Sequence, residues 1–206
     1  MLDTPPDPVL DGLVRSAAAV IGCPIALVSL VDVRRQWFKA RVGLEANQWP
    51  RETAFCAHAI LEGGLLEVPD AQLDPRFADS PLVTGEPHVR FYAGVPLDVD
   101  GHRIGTLCVI DSQPSRLNDA QRQWLGDLAR AVEHWLVSWR QYQELRQAIV
   151  ERQQAEQKAR SLLEELLRWQ EAMLGREDRV QQLKIEVNEL LAGLGQPVRY
   201  GSQTKP

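Results

Sequence analysis

Phe91-Tyr92-Ala93-Gly94-Val95-Pro96-Leu97-Asp98-Val99-Asp100-Gly101-His102-Arg103-Ile104-Gly105-Thr106-Leu107-Cys108-Val109-Ile110-Asp111 decides the fold of this chain. Two apolar, β-branched and aromatic runs, Val89 to Val99 and His102 to Asp111, flank Asp98-Val99-Asp100-Gly101. An Asp-Gly step tolerates the positive φ that a tight antiparallel turn needs, so the stretch reads as a long β-hairpin. Phe91 and Tyr92, being adjacent on a strand, must face opposite sides of the sheet.

Moving outward, Asn118 is placed to cap a helix that runs far toward the carboxy terminus. Upstream, Asp7 to Ile21 carries an apolar stripe at Val9, Leu10, Leu13, Val14, Ala17, Ala18 and Ile21 and stops at Gly22, which predicts a helix. Pro24 to Asp32 is apolar on both faces and reads as a central strand. Gln36 to Val42, after the polar turn Val33-Arg34-Arg35, reads as its hairpin partner. Glu52 to Leu61 predicts a short helix ending at Gly63-Gly64, and Leu65 to Val68 a further strand. Asp70 to Pro87, rich in Asp, Pro, Ser and Gly, reads as a loop.

The second informative stretch is 159–194. Position a falls on Ala159, Leu166, Met173, Val180, Val187 and Leu194, and position d on Leu162, Trp169, Arg176, Leu183 and Leu190. Ten of these eleven are apolar, and such a seam requires a partner helix to bury it. An earlier seam of near-3.5 spacing, Leu125, Leu128, Val132, Trp135, Trp139, Tyr142 and Ile149, lies one residue out of phase with it. The polar stretch Glu151 to Lys158 between them predicts a register shift or local unwinding within one long rod, and the sequence leaves open whether the rod continues through Gly175. Trp135, Trp139, Leu162, Leu166, Trp169, Met173, Leu183 and Leu190 are the expected dimer interface. The expected division is a domain over 1–140, a coiled-coil extension over 141–196 and a disordered tail over 197–206.

Composition excludes several classes. The net charge of −5 gives no electrostatic footprint for nucleic acid or an anionic membrane. No apolar run approaches the 18 or so residues that a bilayer crossing needs. Met1-Leu2-Asp3-Thr4-Pro5-Pro6 lacks the basic and apolar blocks of a signal peptide. Three cysteines, Cys23, Cys56 and Cys108, lack metal-type spacing and suit a reducing cytoplasm. No metal site is expected, because Cys56, His58, His88 and Cys108 would have to converge from distant positions.

Five ordered motifs resemble those of bacterial signalling GAF domains: Phe55-Cys56-Ala57-His58-Ala59-Ile60, Val68-Pro69-Asp70-Ala71, Asp74-Pro75-Arg76-Phe77-Ala78-Asp79-Ser80-Pro81-Leu82-Val83, Phe91 to Leu97, and Gly105 to Asp111. The resemblance covers about residues 3–135. It implies an α+β fold with an antiparallel sheet of about six strands flanked by helices, usually dimeric, with a small-molecule pocket on one face. Trp37, Phe55, Cys56, His58, Asp70, Arg76, Phe91 and Tyr92 are the candidate ligand lining. The ligand and any cofactor are not named by the sequence. The departures from specialised members matter. The chain lacks the adjacent Cys-His of bilin-attaching domains, the Asn-Lys…Phe…Asp-Glu motif of cyclic-nucleotide binders, and the cysteine-bearing loops of free methionine sulfoxide reductases. Residues two apart on a helix point roughly 200° apart, so Cys56 and His58 form no local catalytic dyad. Arg76 either clamps a ligand anion or pairs with Asp70, Asp74 or Asp79 to pin its loop. His134 has no phosphoacceptor sequence around it.

The expectation is therefore a non-catalytic sensory GAF module, a homodimer through its coiled coil, relaying a small-ligand state to a partner such as a signalling kinase or cyclase. Its rivals are a pure dimerisation scaffold and a thiol enzyme resembling methionine sulfoxide reductase.

Overall fold

The computed structural model describes residues 2–201. Helix α1 (Pro8–Ile21) begins where the Asp7 carboxylate accepts from the Val9 and Leu10 amides and where proline supplies the first helical position. It ends at Gly22, whose φ of 81° allows the left-handed closing turn. The helix buries Leu10, Val14, Ala17 and Ile21, the stripe expected from spacing.

The sheet follows as β1 (Ile25–Val31), β2 (Arg35–Val42), β3 (Gln48–Pro50), β4 (Leu66–Val68), β5 (Phe91–Val99) and β6 (His102–Asp111). The spatial order is β3-β2-β1-β6-β5-β4, with every neighbouring pair antiparallel. Helix α2 (Phe55–Glu62) follows a single 3-10 turn at Arg51–Thr53, so the expected Glu52–Leu61 helix is divided at Ala54. A one-turn helix α3 (Pro81–Thr84), capped by Ser80, stands inside what reads from sequence as loop. Strand β3 also lies outside the sequence reading.

Alternation sorts the sheet into two buried faces. Ala26, Val28, Phe91, Ala93, Leu97, Leu107 and Val109 pack with α1 and with Leu125, Ala129, Val132 and Leu136. Ile25, Leu27, Phe38, Tyr92, Cys108 and Ile110 pack with Phe55, Cys56 and Ala59 of α2 and with Phe77, Leu82 and Val83. A bulge interrupts β2, since Val28 pairs with Ala40 while Ser29 pairs with Phe38. The extra residue, Lys39, shifts the phase, so Phe38 and Ala40 serve opposite faces.

Helix α4 (Asp119–Gly193) starts at a reciprocal cap. The Asn118 carboxamide oxygen accepts from the Gln121 amide at 2.8 Å, and the Gln121 side chain accepts from the Asn118 amide at 3.0 Å. The helix is unbroken for 75 residues, which answers the open question at Gly175 and, of the two readings of the polar stretch, leaves the register shift. Gly175 does not end it, because a mid-helix glycine costs only about 1 kcal/mol relative to alanine. The Glu151–Lys158 stretch is not unwound, since i,i+4 pairs such as Arg152–Glu156 sustain it.

The chain forms two units, Met1–Tyr142 and Gln143–Pro206. Within the second, Leu162, Leu166, Trp169, Met173, Leu183 and Leu190 are all exposed. The start of the expected tail carries hydrogen bonds back to the helix. The Asn188 side chain accepts from the Arg199 and Tyr200 amides, both at 3.1 Å, and donates to the Tyr200 carbonyl at 2.8 Å. The rest of that tail, 202–206, lies outside the described residues. Among the described residues, no helix is long and apolar enough to cross a membrane.

Candidate functional site

The face of the sheet beneath α2 concentrates the chain's unusual chemistry. Strand alternation brings Ser29 of β1, Gln36 of β2, Tyr92 of β5, and Thr106 and Cys108 of β6 toward Cys56, which α2 presents from its first turn. All six are buried. Gln36 donates through Nε2 to Cys56 Sγ at 3.0 Å, and the Tyr92 hydroxyl donates to the same sulfur at 3.3 Å. Cys108 Sγ lies 3.7 Å from Cys56 Sγ, and the Ser29 and Thr106 hydroxyls share a hydrogen bond of 3.0 Å. The Gln36 Oε1 atom is buried without a partner. An acceptor left in that state is normally matched by a donor from water or a ligand.

The two thiols differ in acidity. Burial pushes Cys56 up, but hydrogen bonds from Cys108, Ser29, Thr106 and Tyr92 outweigh it and bring the thiol down to about 6. Its contact with Cys56, followed by burial, holds Cys108 well above the usual thiol range. Both side-chain donors of the cluster, Gln36 Nε2 and the Tyr92 hydroxyl, aim at Cys56 Sγ, which favours negative charge there. Cys23, with no such donors, is pushed up to about 12 by burial and by Asp111.

An aromatic layer closes this polar floor. Phe55 stacks on Phe77 at 4.2 Å between centroids and on Tyr92 at 5.1 Å. His58 meets the Phe77 ring edge-on at 4.9 Å, and the Arg76 guanidinium lies 5.1 Å from the same ring. Tyr92 can lie flat along its own strand because residue 94 is glycine; a Cβ there would fall 2.1 Å from the Tyr92 hydroxyl oxygen.

Charge pairs fix the surrounding loop. Arg90 clamps Asp70 with two bonds, of 2.7 and 2.6 Å. Arg76 binds Asp74 through two nitrogens, at 3.0 and 2.8 Å, and reaches Glu62 at 2.5 Å. Of the two roles expected for Arg76, pinning is the one realised, with Glu62 rather than Asp70 or Asp79 as the additional partner. The Arg90 guanidinium beside Asp70 holds its carboxyl below the usual carboxylate range. A folded value below the unfolded one means the clamp contributes fully above the unfolded carboxylate range. That contribution is lost as pH falls through the lowered folded value. Acidification is expected to free the loop before the sheet opens, read as loss of the slowly exchanging Arg90 Nε–H signal by NMR. Asp70→Asn should show the same loss at neutral pH.

Of the eight expected lining residues, Phe55, Cys56, Tyr92 and His58 converge on this cluster. Phe91 does not: it faces the α1 and α4 core, as adjacency to Tyr92 requires. Trp37 is also displaced. It sits beside Lys39, whose ammonium lies 5.8 Å from the Trp37 and Trp135 ring centroids and donates to Thr4 and to the Pro5 carbonyl, each at 2.7 Å. Trp37 instead borders a separate cleft of about 720 Å³ with Asp3, Thr4, Lys39 and Gln48. Asp70 and Arg76 act as loop pins. Sequence reasoning missed Gln36, Ser29, Thr106 and Cys108 as floor residues, and Phe77 as roof. Cys108 and Phe77 both stood inside motifs that had been quoted for other reasons. Of the expected dimer contacts, Trp135 is half-buried in its own unit and stacks on Trp139 at 6.3 Å.

The six-stranded antiparallel sheet is packed on both faces, against α1 and the start of α4 on one and against α2 and the loop that follows it on the other. The family model for the GAF domain matches residues 5–134, and the chain belongs to that family. A cyclic di-GMP phosphodiesterase of Pseudomonas aeruginosa is 50% identical over 115 residues, 55% of this chain. The match spans 20% of that relative's length. Among solved structures, the blue-light-absorbing PixJ GAF domain of Thermosynechococcus elongatus aligns with a TM-score of 0.55 at 16% identity, covering 66% of this chain and 88% of that one. Free methionine-R-sulfoxide reductase of Neisseria meningitidis, in complex with its substrate, aligns with a TM-score of 0.54 at 23% identity, covering 65% and 78%. These two likenesses are of fold.

Proposed function

We propose that the chain is a cytoplasmic, non-catalytic sensory module in bacterial signal transduction. The buried polar cluster beneath α2 opens into a chamber for a small ligand, and the carboxy-terminal helix pairs with that of a second copy to relay the state of the chamber to a partner enzyme. The observation that carries this reading is the double use of α4. Its first turns supply Leu125, Ala129, Val132 and Leu136 to the core of the GAF unit, and the same unbroken helix bears the exposed 159–194 seam. A helix shared in this way couples sheet packing to pairing of the seam, so a ligand favouring one chamber geometry shifts both together. The unpartnered Gln36 Oε1 supports a ligand with a hydrogen-bond donor. The cyclic di-GMP phosphodiesterase relative supports a place in signalling beside a kinase, cyclase or similar output enzyme.

Native mass spectrometry of gently purified protein tests the sensing half. A dimer carrying a small molecule is the expected species. An empty chamber whose melting temperature no metabolite extract raises would leave the scaffold reading standing. Absence of catalysis is tested separately. With free methionine sulfoxide and a dithiol reductant the chain is expected to give no turnover, and turnover abolished by Cys56→Ser would replace this reading with the thiol-enzyme one.

A further inference from the structure

The Cys56–Cys108 pair has no part in the relay proposed above, yet its arrangement is not what packing alone requires. Two thiols from different elements, one on α2 and one in mid-strand β6, meet at 3.7 Å in the centre of the chamber floor. Two donors, Gln36 Nε2 and the Tyr92 hydroxyl, aim at the same one of the two sulfurs. The third cysteine, Cys23, lies among the side chains of the opposite face. We infer that Cys56 and Cys108 form a peroxide-reactive thiol pair that closes to an intramolecular disulfide joining α2 to β6.

The chemistry balances with hydrogen peroxide as oxidant. Cys56 gives up its proton and its sulfur attacks one peroxide oxygen. The O–O bond breaks, a Cys56 sulfenic acid forms, and the departing hydroxide takes the proton as water. Cys108 sulfur then attacks the sulfenic sulfur, so that the S–S bond forms and the S–O bond breaks. Hydroxide leaves with the Cys108 proton as a second water. Two electrons pass from the two sulfurs to the two peroxide oxygens.

Three features favour this course. The attacking sulfur is the one that both donors, Gln36 Nε2 and the Tyr92 hydroxyl, point at, so its thiolate is stabilised where it forms. The resolving thiol already touches it, so the sulfenic acid is captured before a second peroxide arrives. Closing from 3.7 Å to a bond of about 2.05 Å asks for a shift on the order of 1.6 Å, which α2 can supply because it is only eight residues long and ends at Gly63-Gly64. Both sulfurs are buried, so reaction waits on local opening of α2 and is slower than at an exposed thiol. Disulfide formation also changes the sulfur that accepts from Tyr92 and Gln36, so the chamber floor differs between the two redox states. This inference stands on the fold and holds whether or not a ligand occupies the chamber.

The test uses the full reduced chain, treated with hydrogen peroxide under native conditions, quenched with catalase, denatured, alkylated and mapped by mass spectrometry. The expected product is lighter by two hydrogen atoms, with the Cys56 and Cys108 peptides linked and Cys23 still alkylated. In Cys108→Ser the cross-link is lost and Cys56 is trapped as a sulfenic acid by a cyclic dione. The inference is overturned if Cys56 reaches sulfinic acid while Cys108 stays free, or if Cys23 is consumed in step with the pair. It is equally overturned if all three thiols survive an exposure that oxidises the urea-unfolded chain.

Discussion

Phe55→Ala is expected to lower the unfolding free energy of the GAF unit by about 3–5 kcal/mol, the range for removing a fully buried phenylalanine. Phe55 is 2% exposed and is the middle ring of the Phe77–Phe55–Tyr92 stack. Its loss removes apolar contact from both neighbours and leaves a void directly above the Cys56 floor. Part of the cost would be recovered if Phe77 slid inward, but the Arg76 pairs with Asp74 and Glu62 hold that residue's neighbour in place. Urea unfolding followed by near-ultraviolet circular dichroism measures the change. A loss below about 1 kcal/mol, the ordinary scale of a surface substitution, would mean the aromatic layer is not a structural roof.

The second large effect concerns the seam. In the double variant Leu166→Asp with Leu183→Asp, self-association through the rod is expected to disappear. Each buried leucine lost from a seam costs about 2–5 kcal/mol, and a dimer loses four of them. Even the low end corresponds to a weakening of more than a thousandfold. Sedimentation velocity across micromolar concentrations should show a dimer for the parent chain and a monomer for the variant. Circular dichroism of the GAF unit should be unchanged. A parent chain that sediments as a monomer at every concentration would remove the relay from the proposed function.

What could be read in the sequence followed from how local each signal was. The β5–β6 hairpin declared itself through Asp100-Gly101 and two alternating runs, and α1 through Asp7, Pro8 and Gly22. These are signals contained within a few residues. Strand β3 is three residues long and ends in proline, with no alternation to see; what holds Trp49 there is edge-on packing against Phe38 at 5.1 Å, a contact made across the sheet. The Ser80-Pro81 start of α3 was visible but too short to weigh. Trp37 was misplaced because the bulge at Lys39 shifts the face pattern of β2, and no residue type in Gln36 to Ala40 announces it. The chamber was half legible. Phe55, Cys56, His58 and Tyr92 are legible from their motifs, whereas Cys108 and Phe77 join them only through the fold, and Gln36, Ser29 and Thr106 look like ordinary polar strand residues until the sheet brings them together. Gly175 left continuity undecided in the sequence, because a weak breaker carries little weight inside a helix of this length.

The bare backbone at Gly94 leaves the phenol of Tyr92 folded down over its own strand, like a bolt lying in its slot. One added methyl would fill that slot and force the ring upward, away from the sulfur it now touches. Position 94 thus decides by a single carbon whether the phenol can keep its bond to Cys56.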